Sequence, residues 1–252
     1  MAKETVQSVE RAFQVMEILV EAGTAGVREI SQEAGLSPTV VHRLLATLAE
    51  LGYVSQEQDG KYYLTYKILA MGNQVQLHNS VVQRVQPFLE SLSEICGETA
   101  HFMERVGTNI RYLGKVTPAV NMFATGSYIG MELPLAGTAA GKAILAKLSE
   151  EEIAEIWKKS RIVRYTPYTI CTKERLFCEI AEIQKTGLAY DKEEREMGLS
   201  CVGAAISDYQ GVFRYAISIS GPTARMQGER LEEIKKNIEE AKKRITAVIG
   251  KK

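Results

Sequence analysis

Three groups of residues have the types and spacing to do chemistry. The first is Gly137-Thr138-Ala139-Ala140-Gly141-Lys142-Ala143. If Thr138 caps a helix that ends near Leu148, the N–H groups of Ala139 and Ala140 are unsatisfied donors at its positive end. Two small side chains there admit a ligand close to the backbone, and the ligand such donors take is a carboxylate or a phosphate. The second group lies on two strands. Alternation puts Leu199, Cys201, Gly203 and Ala205 on one face of Leu199–Ser207, and Ala216, Ser218 and Ser220 on one face of Val212–Ser220. Small residues on a buried sheet face leave room for a ligand. The third is a short helix opening at Ser37, whose Thr39, His42, Arg43 and Ala46 lie on or beside the face opposite an apolar stripe. In a major groove Arg43 can pair bidentately with a guanine, His42 can make a single bond, and Thr39 can offer a hydroxyl to phosphate or base.

Each group has a plainer explanation. A Gly/Ala-rich helix start also serves close packing, and helix-turn-helix geometry also occurs in protein–protein modules. The run from Asp191 to Glu196 reads by itself as a solvated loop. Cys201 on an apolar strand reads as inert core, since none of His42, His78 and His101 is near it in sequence. Gly137 to Ala143 is not a phosphate loop, because its glycines are one residue too close and Ala143 stands where Ser or Thr is needed. Cys96, Cys171, Cys178 and Cys201 include no C-x-x-C pair. No catalytic residue, metal or cofactor is expected, and the chain is not read as an enzyme.

The elements that must position these residues follow from periodicity. Val9, Ala12, Phe13, Met16, Leu19 and Val20 space out one buried helix face, with Ser8 as its cap. A second helix spans about Val27–Ala34, and Gly35-Leu36 makes a tight turn. The third begins with Ser37 as cap and Pro38 at the first helical position, and buries Val41, Leu44, Leu45 and Leu48. Tyr53–Ser55 and Lys61–Leu64 form a hairpin, which completes the order of a winged helix-turn-helix. Helices are expected over Tyr66–Leu77 and Ser80–Cys96, the latter kinked at Pro87. Beyond them come strands at Thr99–Val106, Ile110–Val116, Leu188–Asp191, Leu199–Ser207 and Val212–Ser220. Helices are expected at Thr138–Leu148, Glu150–Lys159, Thr172–Lys185 and Gln227–Ile249. That mixture predicts an α+β protein with an antiparallel sheet covered by helices.

Of the 252 residues, 45% are apolar and 25% charged, which excludes wholesale disorder. No run of about 18 uncharged apolar residues offers a membrane span. The N-terminus carries no apolar export stretch, and scattered cysteines fit a reducing cytoplasm. Residues 1–75 hold six basic and nine acidic side chains, a net −3. Non-specific DNA affinity should therefore be weak and its salt dependence shallow.

Leu36-Ser37-Pro38-Thr39-Val40-Val41-His42-Arg43-Leu44-Leu45 followed by Leu51-Gly52-Tyr53-Val54 resembles the winged helix of IclR-type transcriptional regulators. Leu133–Ala143 resembles that family's effector-pocket helix. Tyr190–Glu194, Gly198–Val202 and Ser218–Pro222 resemble its remaining signatures, in order and spacing, and the match runs from about Val6 to Ile249. The resemblance implies a winged helix-turn-helix over residues 1–65, a linker helix over 66–79 and a GAF-like effector-binding domain over 80–252. The candidate DNA contacts are Ser37, Thr39, Val40, His42, Arg43 and Lys61. Ligand-facing positions carried over from the family are Met122, Thr125, Leu133, Ala139, Ala140, Asp191, Leu199, Cys201, Ser218 and Ser220. The departures are Pro38 where a basic residue is usual, Val40 where a hydroxyl is usual, and Thr65 in place of a glycine after the wing. Ser200 also replaces an arginine, and Arg195 an apolar or aromatic residue. The last two are expected near the pocket, where they would alter the ligand class.

The implied protein is a sequence-specific regulator, chiefly a repressor, whose binding to double-stranded operator DNA is controlled by a small carboxylate effector. It would act as a homo-oligomer, a dimer or a dimer of dimers. In the expected complex the effector carboxylate sits on the Ala139 and Ala140 N–H groups and an effector hydroxyl donates to Asp191, which favours hydroxy acids and keto-acid hydrates. The alternative is a small-molecule sensor that acts through a protein partner and has little DNA affinity.

Overall fold

The computed structural model describes residues 5–77, 80–119, 125–208 and 210–249. The chain divides into two compact units, Met1–Asn79 and Ser80–Lys252. In the first, α1 (Gln7–Ala22), α2 (Val27–Ala34) and α3 (Pro38–Glu50) enclose a core that includes Val15, Leu19, Ile30, Val41 and Leu45. A hairpin of β1 (Val54–Gln56) and β2 (Tyr62–Leu64) closes it, extended by an antiparallel bridge between Tyr62 and Ala25. Gly35, with φ 64°, supplies the left-handed residue that ends α2 and turns the chain into α3. Ser31 Oγ donates to the Leu36 carbonyl at 2.5 Å and pins that turn.

Two expectations about α1 are corrected. The helix starts at Gln7 after Val6, so Ser8 is not its cap. The residues it buries are Val15, Ile18 and Leu19, whereas Val9, Phe13 and Val20 are 51%, 58% and 61% exposed. Apolar residues run round most of this helix, so periodicity found a stripe without finding which one faces α2 and α3.

Thr65 follows the wing. Its N–H donates to the Tyr53 carbonyl at 2.9 Å and its hydroxyl to the Gly52 carbonyl at 2.6 Å. The same hydroxyl accepts from Lys67 N at the start of α4 (Tyr66–Leu77). Lys67 Nζ in turn reaches the Leu51 carbonyl at 2.7 Å. Thr65 thus caps α4 and ties it to the end of α3.

The second unit is built on six antiparallel strands. They are β3 (Thr99–Val106), β4 (Asn109–Val116), β5 (Glu132–Pro134), β6 (Ala189–Lys192), β7 (Leu199–Ser207) and β8 (Phe213–Pro222), in the order β5-β4-β3-β8-β7-β6. Strand alternation sorts the side chains into two cores. Phe102, Val202, Ala204, Ile217 and Ile219 pack with α5 (Ser80–Cys96) and α9 (Gly228–Ile249). Met103, Ala205 and Ala216 pack on the other side with α6 (Ala139–Leu145), α7 (Glu150–Lys159) and α8 (Lys173–Thr186). Helix α5 runs on through Pro87. Helix α6 ends three residues before the expected Leu148, and β5 was not anticipated because three residues carry too little alternation to read.

Fully buried Glu98 fastens the far end of the sheet. Arg225 Nε and Nη2 hold its two carboxylate oxygens at 2.6 and 2.8 Å, a bidentate pair that fits against Gly221, where a Cβ would lie 2.6 Å from the carboxylate.

Candidate functional site

A cavity of about 240 Å³ opens where the start of α6 meets the sheet. Its floor follows from register. Asp191 on β6 pairs with Cys201 on β7, which pairs with Ser220 on β8. One row over, Gly203 pairs with Ser218, and Ser218 with His101 on β3. Gly203 is needed there, since a Cβ would stand 2.8 Å from Ala140 N. Helix α6 therefore rests its first turn directly on the strand. Thr138 caps α6, accepting from Gly141 N at 2.9 Å, and its carbonyl takes Lys142 N. The N–H groups of Ala139 and Ala140 have no intrahelical acceptor.

Of the effector-facing candidates, Ala139, Ala140, Asp191, Leu199, Cys201, Ser218 and Ser220 line this cavity, joined by Thr125 and by Leu133 of β5. Met122 lies outside the described residues. The sequence reading missed His101, Met103, Tyr112 and Ser127, which also line it. A lone histidine on a strand carries no signal until β3 is known to lie beside β8. Lys115 was missed as well. Its Nζ donates to the carbonyls of Thr125 and Ser127, at 3.0 and 2.7 Å, and holds that segment over the cavity.

Hydrogen bonds join the polar lining. Ser220 Oγ donates to Cys201 Sγ at 3.0 Å and lies 3.4 Å from His101 Nδ1, while His101 Nε2 lies 2.8 Å from Ser127 Oγ. The imidazole meets Tyr112 edge-on, with ring centroids 5.1 Å apart. Burial, with Lys115 nearby, lowers the His101 pKa to about 3, so the ring is a neutral hydrogen-bonding group at ordinary pH. Burial raises the Asp191 carboxyl to about 6, reinforced by Glu194 and opposed by the Glu194 N–H, Lys142 and Arg195. Burial also raises the Cys201 thiol, leaving it unreactive.

The segment after β6 departs from expectation. Asp191 and Glu194 are both buried, so the charge run is not a solvated loop. Glu194 pairs with Lys142, a fully buried lysine on α6. Arg195 stacks its guanidinium 4.7 Å from the centre of the Tyr165 ring at the cavity wall. Ser200 does not reach this cavity. It bonds Thr223 Oγ1 at 2.9 Å and lines a second cavity with Val202 and Leu231, because alternation turns it to the α9 side.

On α3, Ser37, Thr39, His42 and Arg43 are exposed in the first half of the helix, and Val40 is half-buried. Ser37 stands at the N-cap, but its hydroxyl makes no capping bond. Lys61, expected to open the second hairpin strand, stands one residue before β2, half-buried, with its N–H on Asp59 Oδ1 at 3.0 Å.

Residues 74–247 match the family described as bacterial transcriptional regulator IclR C-terminal, and residues 8–58 match the IclR helix-turn-helix domain. The chain belongs to the IclR family. It is 32% identical to the HTH-type transcriptional regulator KdgR of Escherichia coli over 248 residues, which cover 98% of this chain and 94% of that protein. It is 30% identical to the transcriptional repressor IclR of Escherichia coli, covering 97% and 90%. The crystal structure of the Thermotoga maritima IclR is similar at a TM-score of 0.78 and 30% identity, covering 97% of this chain and 99% of that one. As an IclR-family protein the chain is a DNA-binding transcriptional regulator with a helix-turn-helix unit and an effector-binding unit. Among the described residues no helix is long and apolar enough to cross a membrane.

Proposed function

We propose that this IclR-family regulator is a cytoplasmic repressor that binds operator DNA through residues 1–65 and releases it when a small hydroxy or keto acid fills the cavity in residues 80–252. Residues 66–79 serve as the linker. The observation that carries the reading is convergence: residues from all six strands of the sheet and the start of α6, far apart in sequence, line one small cavity. At about 240 Å³ it is below the usual range of roughly 300–1,000 Å³ for ligand pockets, which restricts the effector to a few carbons.

The chemistry follows from the lining. The Ala139 and Ala140 N–H groups donate to the effector carboxylate. Neutral His101, Ser127, Ser218 and Ser220 exchange hydrogen bonds with its oxygens, and Asp191 accepts a hydrogen bond from its hydroxyl. Met103, Leu133 and Leu199 cover the short carbon skeleton. Tighter binding by one conformation shifts the equilibrium from operator-competent to operator-released protein. The exposed apolar side chains Val9, Phe13 and Val20 of α1 and Tyr66, Leu69 and Val75 of α4 support a homo-oligomer, a dimer or a dimer of dimers.

The test begins with duplexes selected from a random pool by the purified chain and a thermal-shift panel of small acids. An acid at about a hundred times its Kd adds about 2.7 kcal/mol to the native state. Asp191→Ala should bind the selected operator as wild type does and lose release by the acid found. Unchanged acid affinity in that variant would overturn the assignment. The net −3 of residues 1–75 favours a second reading, a sensor acting through a protein partner. A pool that yields no enriched sequence at any salt concentration would establish it over the first.

A further inference from the structure

Lys142 is fully buried on α6, yet it does not line the cavity. Its Nζ pairs with Glu194 and lies 3.7 Å from Glu179 Oε1 on α8. Glu194 uses its backbone N–H to hold Asp191 Oδ1 at 2.8 Å. The turn that carries Glu194 is held from a third side. Thr166 Oγ1 donates to the Glu193 carbonyl at 2.6 Å and Thr169 Oγ1 to the Glu194 carbonyl at 2.5 Å. Glu193 itself has φ 60°, the one positive value at a non-glycine residue among the described residues. Conformations that L-residues avoid persist only where the surroundings over-determine them, and they concentrate at ligand sites. A buried ion pair adds little to stability, because desolvation of both charges offsets their attraction. What this one secures is geometry.

We propose that Lys142 and Glu194 are positioning residues of the effector cavity: their buried pair fixes the Glu193–Glu194 turn, and the turn's N–H aims the Asp191 carboxylate at the bound acid. The proposal rests on the reading of the cavity as an effector site with Asp191 as its hydroxyl acceptor. The two partners act on Asp191 with opposite sign, Lys142 favouring its charged form and Glu194 opposing it. The other titratable and charged groups around Asp191 and the pair are Arg195 on the same segment, Tyr112 on β4, Cys201 on β7, and Arg175 and Glu179 on α8.

The experiment follows the Asp191 carboxyl by carbon-13 NMR in the unliganded full chain, the signal being assigned by its loss in Asp191→Asn. From the wild-type midpoint of about 6, Lys142→Met should move it up and Glu194→Gln down, each by about one unit, and the double variant should return close to wild type. General loosening of the fold would move both single variants the same way. A second measurement compares calorimetric binding of glycerate and propionate. Lys142→Met and Asp191→Asn should each cut the preference for the hydroxy acid about tenfold, and the two together should cut it no further. Variants that melt cooperatively yet leave the midpoint unmoved, or shift it in one common direction, overturn the proposal. If the wild type binds neither acid, the hydroxy-acid reading fails while the titration still decides the positioning role. If Lys142→Met does not fold, the downward shift in Glu194→Gln decides it alone.

Discussion

Asp191 and His101 sit in one cavity, and burial drives both toward neutrality from opposite sides, Asp191 up to about 6 and His101 down to about 3. The native chain binds the Asp191 proton more tightly than the unfolded chain, whose carboxylate titrates near the ordinary value. The stability this contributes is full at low pH and is lost as pH rises from about 4 through about 6. Relative to Asp191→Asn, wild type should therefore lose roughly 2–3 kcal/mol between pH 4 and pH 7. Urea unfolding of both proteins at the two pH values checks this, and parallel curves would contradict it. His101 has the reverse sign and cancels in the comparison. Much at this scale was legible. Ser218, Ser220, Cys201 and Gly203 declared themselves by alternation, and Ala139 and Ala140 by their place after a capping threonine. His101 and Lys115 were not, because their roles depend on which strands are neighbours.

Among the elements, the contact of α6 with β7 decides whether there is a site at all. With Ala140 N 2.8 Å from the place of a Gly203 Cβ, and the Leu135 carbonyl 2.1 Å from that of a Gly141 Cβ, α6 is wedged between backbone and backbone. The plainer explanation of the Gly/Ala run, close packing, thus holds together with the ligand-site one. Gly203→Ala should cost about 1–3 kcal/mol. It should also weaken the acid found by thermal shift by more than the melting temperature suggests, because the displaced N–H groups are those that would hold the carboxylate. Calorimetry beside a thermal melt checks both, and wild-type affinity in a folded variant would count against the site. Element boundaries were read well where alternation is long, as in β3 and β7, and where caps are strong, as in α7. They were read poorly where apolar residues encircle a helix. In α1 the stripe expected inside includes Phe13, which is exposed.

For the whole molecule, that misread stripe is informative. Val9, Phe13 and Val20 leave an apolar face on α1 that no described residue of the first unit covers. If it joins two copies, Phe13→Glu should lower the sedimenting mass at micromolar concentration and weaken binding to a two-half-site operator by tenfold or more, about 1.4 kcal/mol, through loss of avidity. An unchanged mass would place the interface elsewhere. A division of the chain was expected from the change of pattern after Leu64, in the helix that follows it; the two compact units part at Asn79. The six-strand order was not legible, because β3 and β8 are separated by most of the second unit. That order has a bearing on how the protein can change over time. On the nine-residue strand β7, Cys201 and Gly203 face the cavity side while Val202, Ala204 and Ile206 hold α5 and α9. If the cavity is the effector site, substitution at Cys201 redirects what is sensed, whereas Gly203 and the second set keep the scaffold. On that reading ligand choice at Cys201 is interleaved with foldability at its neighbours, and the one position can drift while the flanking ones hold the fold.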